Sequence, residues 1–212
     1  GVQTSALPIS RIRRCVYCGS NVGSHPAYVE TARSLGHSLA NRQIGLVYGG
    51  GSVGLMGVLA DGVLAAGGEV VGVITEQLFQ AEVAHRGLTS LEVVTSMHER
   101  KARMADLADG VVVLPGGFGT VDEFAEILTW NQLGITAKPV VLLDVDGFWE
   151  PMLHWMDRAV EAGFVKPAHR MLAQRARSVD EAIAMATSPA PDVPHKWIDR
   201  DHTPHGGVRN VV

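Results

Sequence analysis

Residues 111–123 read VVVLPGGFGTVDE, and the reading of the fold starts there. Val111, Val112, Val113 and Leu114 form a short unbroken apolar run, the pattern of a strand buried on both faces of a sheet. Pro115 ends the run. Gly116, Gly117 and Gly119 follow, and they allow backbone angles that side chains forbid. Thr120 is then expected to open a helix that continues through Phe124, Ile127, Leu128 and Leu133. A strand, a glycine turn and a helix start together make an anion site. The first N–H groups of a helix lack partners, and its dipole favours negative charge. Two acids, Asp122 and Glu123, fall in the first turn. Thr120-x-x-Glu123 fits a capping box, in which case the acids only finish the helix. The same residues fit a phosphate held by the loop with a carboxylate beside it for chemistry.

Working outward, apolar runs and helical periodicities alternate. Strands are expected at 13–17, 44–48, 70–74 and 91–95 before this stretch, and at 140–143 after it. Helices are expected at 27–42, 54–66, 97–108 and 148–162. A shorter one starts near Pro167, and another is capped by Ser178. Residues 75–90 are mixed. Strict alternation implies an α/β fold: a doubly wound parallel sheet in three αβα layers, with ligands at the carboxyl ends of the strands. We expect one domain over residues 11–187 and flexible termini at 1–10 and 188–212, the latter rich in proline and glycine.

Composition narrows the function. At 46% hydrophobic and 19% charged residues, the 212-residue chain is globular and long enough for one sizeable core. Its formal net charge of -4 argues against a general nucleic-acid binder. No apolar run approaches the roughly 18 residues of a membrane span. The stretch GVQTSALPIS lacks the basic and apolar regions of a signal peptide, so a cytoplasmic location is expected.

Several motifs have competing readings. Cys15-x-x-Cys18 has redox spacing. A reactive pair of this kind should open a helix, whereas here Cys15 belongs to a strand and Cys18 to the loop after it. Gly49-x-Gly51-x-x-Gly54 matches the dinucleotide fingerprint, with Glu76 as the acid for a ribose. An NAD-dependent oxidoreductase leaves the second loop, at 115–120, unexplained. His98-Glu99-Arg100-Lys101 opens a helix at a strand's carboxyl end, where a charged turn becomes a candidate for function. His98 does not complete a zinc motif, and His195, His202 and His205 fall in the tail, so no metal is expected.

Four segments, CVYCGSNVG, LVYGGGSVGLMG, MHERKARM and LPGGFGTVDE, in this order, resemble the LONELY GUY family of phosphoribohydrolases. Members release active cytokinin from its riboside 5′-monophosphate. The resemblance covers about residues 13–187 and implies a Rossmann-like fold, no cofactor and a homodimer. The apolar helices around Met56 and Trp130 are a second motive for the dimer. The resemblance makes Arg100 and Glu123 catalytic and puts Lys101 at the substrate. It places Gly116, Gly117, Phe118, Gly119 and Thr120 around the phosphate, with Gly50 and Gly51 counted among the binding residues. Thr129 matches a substrate-contacting threonine. Glu82 matches the glutamate of a looser segment, although Val83-Ala84-His85 replaces part of the usual Ile-Thr-Gly. Members have often been labelled lysine decarboxylases, but no motif here marks a pyridoxal-phosphate lysine.

The implied reaction is hydrolysis of the N-glycosidic bond of N6-substituted adenosine 5′-monophosphates, of the isopentenyl-AMP type or AMP itself, to free base and ribose 5-phosphate. The alternative is a noncatalytic nucleotide-binding or sensor protein on the same fold. Neither reading needs a nucleic acid or a membrane.

Overall fold

The structure, a computed structural model, describes residues 12–81 and 83–196. Seven parallel strands form one sheet: β1 (Arg13–Tyr17), β2 (Gly45–Tyr48), β3 (Val70–Thr75), β4 (Ser90–Val94), β5 (Gly110–Val113), β6 (Val140–Leu143) and β7 (Ala173–Ala176). Their spatial order is β4-β3-β2-β1-β5-β6-β7. The central strands are mostly apolar because both faces are covered, with Arg13 and Arg14 confined to the start of β1. One face carries α1 (Pro26–Asn41), α2 (Gly54–Ala65) and α8 (Val179–Thr187), whose Leu35, Leu59 and Ile183 pack on Val16, Leu46, Val112 and Val141. The other carries α4 (Met97–Asp106), α5 (Phe118–Gln132) and α6 (Glu150–Glu161), with Met104, Ile127 and Leu153 on Val73, Val113 and Leu142. This is the expected three-layer doubly wound fold.

The order reverses between β1 and β5, since the chain first builds outward to β4 and then crosses over. Strand ends diverge at such a switch point and leave a crevice at the carboxyl edge. The crossover thus places the loops after β1, β2 and β5 around one hollow.

Two expectations need correction. The helix after β5 starts at Phe118 with Gly117 as its cap, two residues before Thr120, and no side chain caps it. The strand β7 was not anticipated. Its sequence, AQRA, sits at the sheet edge beside β6 and places the polar Gln174 and Arg175 there. Residues 75–90 contain the short helix α3 (Glu76–Gln80) and then a strap that zips onto the glycine loop. Ser52 N donates to Val83 O at 2.8 Å, and His85 N to Gly50 O at 2.9 Å. His85 also reaches Asp61 of α2, Nε2 to Oδ1 at 3.0 Å. Past α8, residues 188–196 carry no regular secondary structure. They touch the body where His169 Nε2 donates to Pro194 O at 2.7 Å and Lys196 N to Gln132 O at 3.0 Å.

Candidate active site

A cleft of about 360 Å³ opens at the switch point. It is walled by Cys18 and Ser20 after β1, Gly49 and Gly51 after β2, and Gly117–Thr120 after β5. Arg100 and Glu123 face each other inside it, Nη1 to Oε1 at 3.8 Å, with side chains only 8% and 12% exposed.

Arg100 is anchored by backbone. Its Nε donates to Val73 O at 2.9 Å and its Nη2 to Gly49 O at 3.0 Å. Glycine at 49 is what admits the guanidinium, because a Cβ there would lie 1.9 Å from Nη2. The glycine turn is thereby committed to protein partners: Gly49 O to Arg100, Gly50 O to His85 and Gly51 to a bridge with Ala84. These bonds use the carbonyls of Gly49 and Gly50, and of the turn's N–H groups the strap takes that of Ser52, bonded to Val83 O.

Glu123 sits one turn inside α5 and points into the cleft. Burial pushes its carboxyl up to about 7, and the Asp122 and Glu126 carboxylates add to the rise. Arg100 and Lys101 oppose the shift without cancelling it. A carboxyl with this value changes its charge near neutral pH, as acid and base groups in enzymes do.

The start of α5 offers the N–H groups that an anion would take. With Gly117 at the cap position and no side chain bonding back, the N–H groups of Phe118, Gly119 and Thr120 belong to the unpartnered first turn of the helix. Gly116 lets this turn close, since a Cβ there would stand 2.1 Å from Thr120 Oγ1. Opposite lies an apolar wall of Val53, Met56, Ile74, Leu78, Val83 and Met97. Sequence reading missed this wall, because its members come from separate elements and no local pattern joins them.

Other expected residues lie elsewhere. Lys101 does not line the cleft. Its Nζ bridges Asp122 Oδ2 at 2.9 Å and Glu126 Oε2 at 3.2 Å. Thr129 turns away, its hydroxyl donating to Ala125 O at 2.8 Å. Gly50 and Gly116 shape the loops from behind the lining. Glu82 lies outside the described residues, as do His202 and His205. Cys15 and Cys18 are free and buried, and burial drives both thiols up, away from the reactive range.

The comparisons bear on this geometry. A family model described as "Possible lysine decarboxylase" matches residues 56–186. The chain is 46% identical over 175 residues to the cytokinin riboside 5′-monophosphate phosphoribohydrolase LOG7 of Arabidopsis thaliana, covering 82% of this chain and 81% of that protein. It is 44% identical over 197 residues to LOG of Oryza sativa subsp. japonica, covering 92% and 81%. The chain belongs to the LONELY GUY family. The molybdenum cofactor carrier protein of Chlamydomonas reinhardtii superposes with a TM-score of 0.63 at 25% identity, over 82% of this chain and 94% of that one. The molybdenum cofactor binding protein of Rippkaea orientalis, at 23% identity and a TM-score of 0.62, shares the fold. Among the described residues that line the cleft there is no lysine to form an imine, so its lining lends the decarboxylase wording no support.

Proposed function

We propose that the chain hydrolyses the N-glycosidic bond of N6-substituted adenosine 5′-monophosphates, yielding free base and ribose 5-phosphate. The observation that carries the reading is the buried Glu123 carboxyl facing Arg100 beside the uncapped start of α5. In this reading the 5′-phosphate takes the N–H groups of Phe118, Gly119 and Thr120. It is not cleaved, and its binding energy positions the sugar. As the ribose–base bond breaks, positive charge builds on the ribose. Ionised Glu123 stabilises that charge and orients or deprotonates the attacking water. Because its carboxyl lies near 7, catalytic efficiency rises as pH climbs through that value.

Arg100 supplies fixed positive charge to the departing purine. Its side-on fork of Nε and Nη2 is committed to Val73 O and Gly49 O, which disfavours a bidentate phosphate clamp through that edge. The apolar wall suits a hydrocarbon N6 substituent. Two methionines, Met56 and Met97, let it adapt to shape. Thr129 and Lys101, assigned to substrate by resemblance, bond within the protein instead. We further read the protein as a cytoplasmic homodimer. Phe118 is 98% exposed and Met97 46% exposed at the cleft mouth, as an apolar rim awaiting a partner would be. The free thiols suit a reducing compartment. Light scattering that finds a monomer at micromolar concentration overturns the dimer.

The test compares catalytic efficiency on isopentenyl-AMP and isopentenyladenosine, with chelator and without nicotinamide. A riboside forgoes charge-assisted hydrogen bonds to the N–H groups at the start of α5, each worth about 1.5–3 kcal/mol net. The monophosphate should be favoured at least ~100-fold, about 2.7 kcal/mol, with ribose 5-phosphate and base released in equal amounts. Equal efficiencies overturn the phosphate site. Tight binding with no release of base replaces the hydrolase by a noncatalytic nucleotide-binding protein.

A further inference from the structure

Arg100 and Lys101 are neighbours on α4, yet they do different things. Lys101 is 7% exposed, which is rare for lysine without a partner. Its Nζ lies between Asp122 and Glu126, one helical turn apart on α5. Burial alone would push its ammonium down, but hydrogen bonds and charge from these two acids outweigh burial and hold it up. Its charge is therefore committed within the protein. The two cross-helix contacts are also in step. Arg100 precedes Lys101 on α4, and Glu123 follows Asp122 on α5. Any change in the spacing or register of α4 against α5 moves the Arg100–Glu123 contact with it.

We propose that Lys101 is a positioning residue: by clamping α5 to α4 through Asp122 and Glu126 it sets the placement and the charge state of Glu123, and it does not hold substrate. The inference rests on the hydrolase reading for its activity measurements. Glu123 is faced by Arg100 and Lys101 from α4, by Asp122 and Glu126 from its own helix, and by Cys15, Tyr17 and Cys18 from β1 and the loop after it. Of these groups, only Lys101 directly neutralises the two acids that push Glu123 up.

The test uses Lys101→Met, which keeps an apolar stem without the charge, and Lys101→Arg, which keeps the charge. kcat and KM on isopentenyl-AMP are measured across the neutral range, and the Glu123 carboxyl is titrated directly by carbon-13 NMR. Lys101→Met should lower kcat by ~10-fold or more while KM stays within ~3-fold. Glu123 should titrate at higher pH, because Asp122 and Glu126 lose their counter-charge. Lys101→Arg should recover most of kcat and the titration. A KM raised ~10-fold with kcat unchanged marks Lys101 as a phosphate ligand and overturns the proposal. An unmoved titration and unmoved kcat overturn it too.

If Lys101→Met does not fold, Asp122→Asn with Glu126→Gln decides. The proposal expects lowered kcat, unchanged KM and a Glu123 titration at lower pH. A direct ligand role leaves both kinetic constants near wild type, because Lys101 is intact. If the wild-type protein releases no base, the hydrolase reading fails. The NMR titration of the variants still tests the coupling, and an unmoved Glu123 overturns it.

Discussion

The tetrapeptides Thr-Val-Asp-Glu at 120–123 and Ser-Val-Asp-Glu at 178–181 are nearly the same sequence, each following a strand of the same sheet. At 178 a capping box forms, with its return bond made one residue before the cap. Ser178 Oγ accepts from Glu181 N at 3.2 Å, and Glu181 Oε2 accepts from Arg177 N at 2.7 Å. At 120 no box forms. Gly116, Gly117 and Gly119 all precede the motif, and the helix begins at Phe118. Thr120 becomes the third helical residue instead of the cap, and Glu123 the sixth instead of the third. A shift of three residues turns a capping acid on the surface into a buried carboxyl in a cleft. The comparison teaches that the glycines upstream, and not the motif, decide whether the acid serves the helix or the site.

The largest expected effect separates the two glutamates by activity. Glu123→Gln, like Arg100→Ala, should lower kcat/KM on isopentenyl-AMP by ~1000-fold or more, about 4 kcal/mol of transition-state stabilisation. Glu181→Gln should leave turnover unchanged. Steady-state kinetics on the three variants checks this, and a Glu123→Gln protein near full activity returns the acid to the surface role of its counterpart.

The second effect is on stability, and its sign opposes what a cap would give. Glu123 has its carboxyl raised from 4.5 to about 7, so the folded state binds a proton more tightly than the unfolded chain. Stability from this group is intact below the unfolded value and falls as pH rises from 4.5 to about 7. The full loss corresponds to about 3 kcal/mol above that range. Glu123→Gln should therefore raise Tm by several degrees in mildly alkaline buffer, and the gain should vanish in acid. A cap would show a loss instead. Calorimetry of both proteins at the two pH values decides.

Much of this was legible and some was not, for physical reasons. Six strands follow from apolar runs such as Val111–Leu114, because a strand covered on both faces must be apolar. The seventh escaped because an edge strand tolerates Gln174 and Arg175, the latter pairing with Asp144 and Glu150. The meeting of Arg100 and Glu123 was legible through short motifs whose residues the parallel topology brings to one edge. Lys101 was placed at the substrate by a motif that records adjacency in sequence, but adjacent helical residues point about 100° apart, and α5 offered it two acids. The start of α5 was misplaced because capping signals compete, and the closure of Thr120 over Gly116 is a contact that no spacing rule contains.

A third change makes the uncapped helix resemble the capped one. A Cβ at Gly117 meets nothing within 4 Å, so Gly117→Asp fits and puts a carboxylate at the cap position of α5. It should stabilise the fold by a few tenths of a kcal/mol while competing with phosphate for the same N–H groups. We expect KM for isopentenyl-AMP to rise ~10-fold, about 1.4 kcal/mol, with a smaller effect on isopentenyladenosine. An unchanged KM would mean that phosphate binds elsewhere.

The smallest effect is the reciprocal one. Ser178→Ala removes a cap whose acceptor satisfies one N–H at the start of α8, a helix on the opposite face of the sheet from α5. The N–H of Glu181 then has only water as a partner, which its exposed position allows. The loss should be about 1 kcal/mol of stability, read as a lower denaturation midpoint with an unchanged slope. Neither kcat nor KM should move, because Ala182 and Ile183 keep α8 packed on β6 regardless of how its first turn is finished. If Ser178→Ala changes turnover on isopentenyl-AMP, the two helix starts are coupled through the sheet, and the division into a structural cap and a functional helix start does not hold.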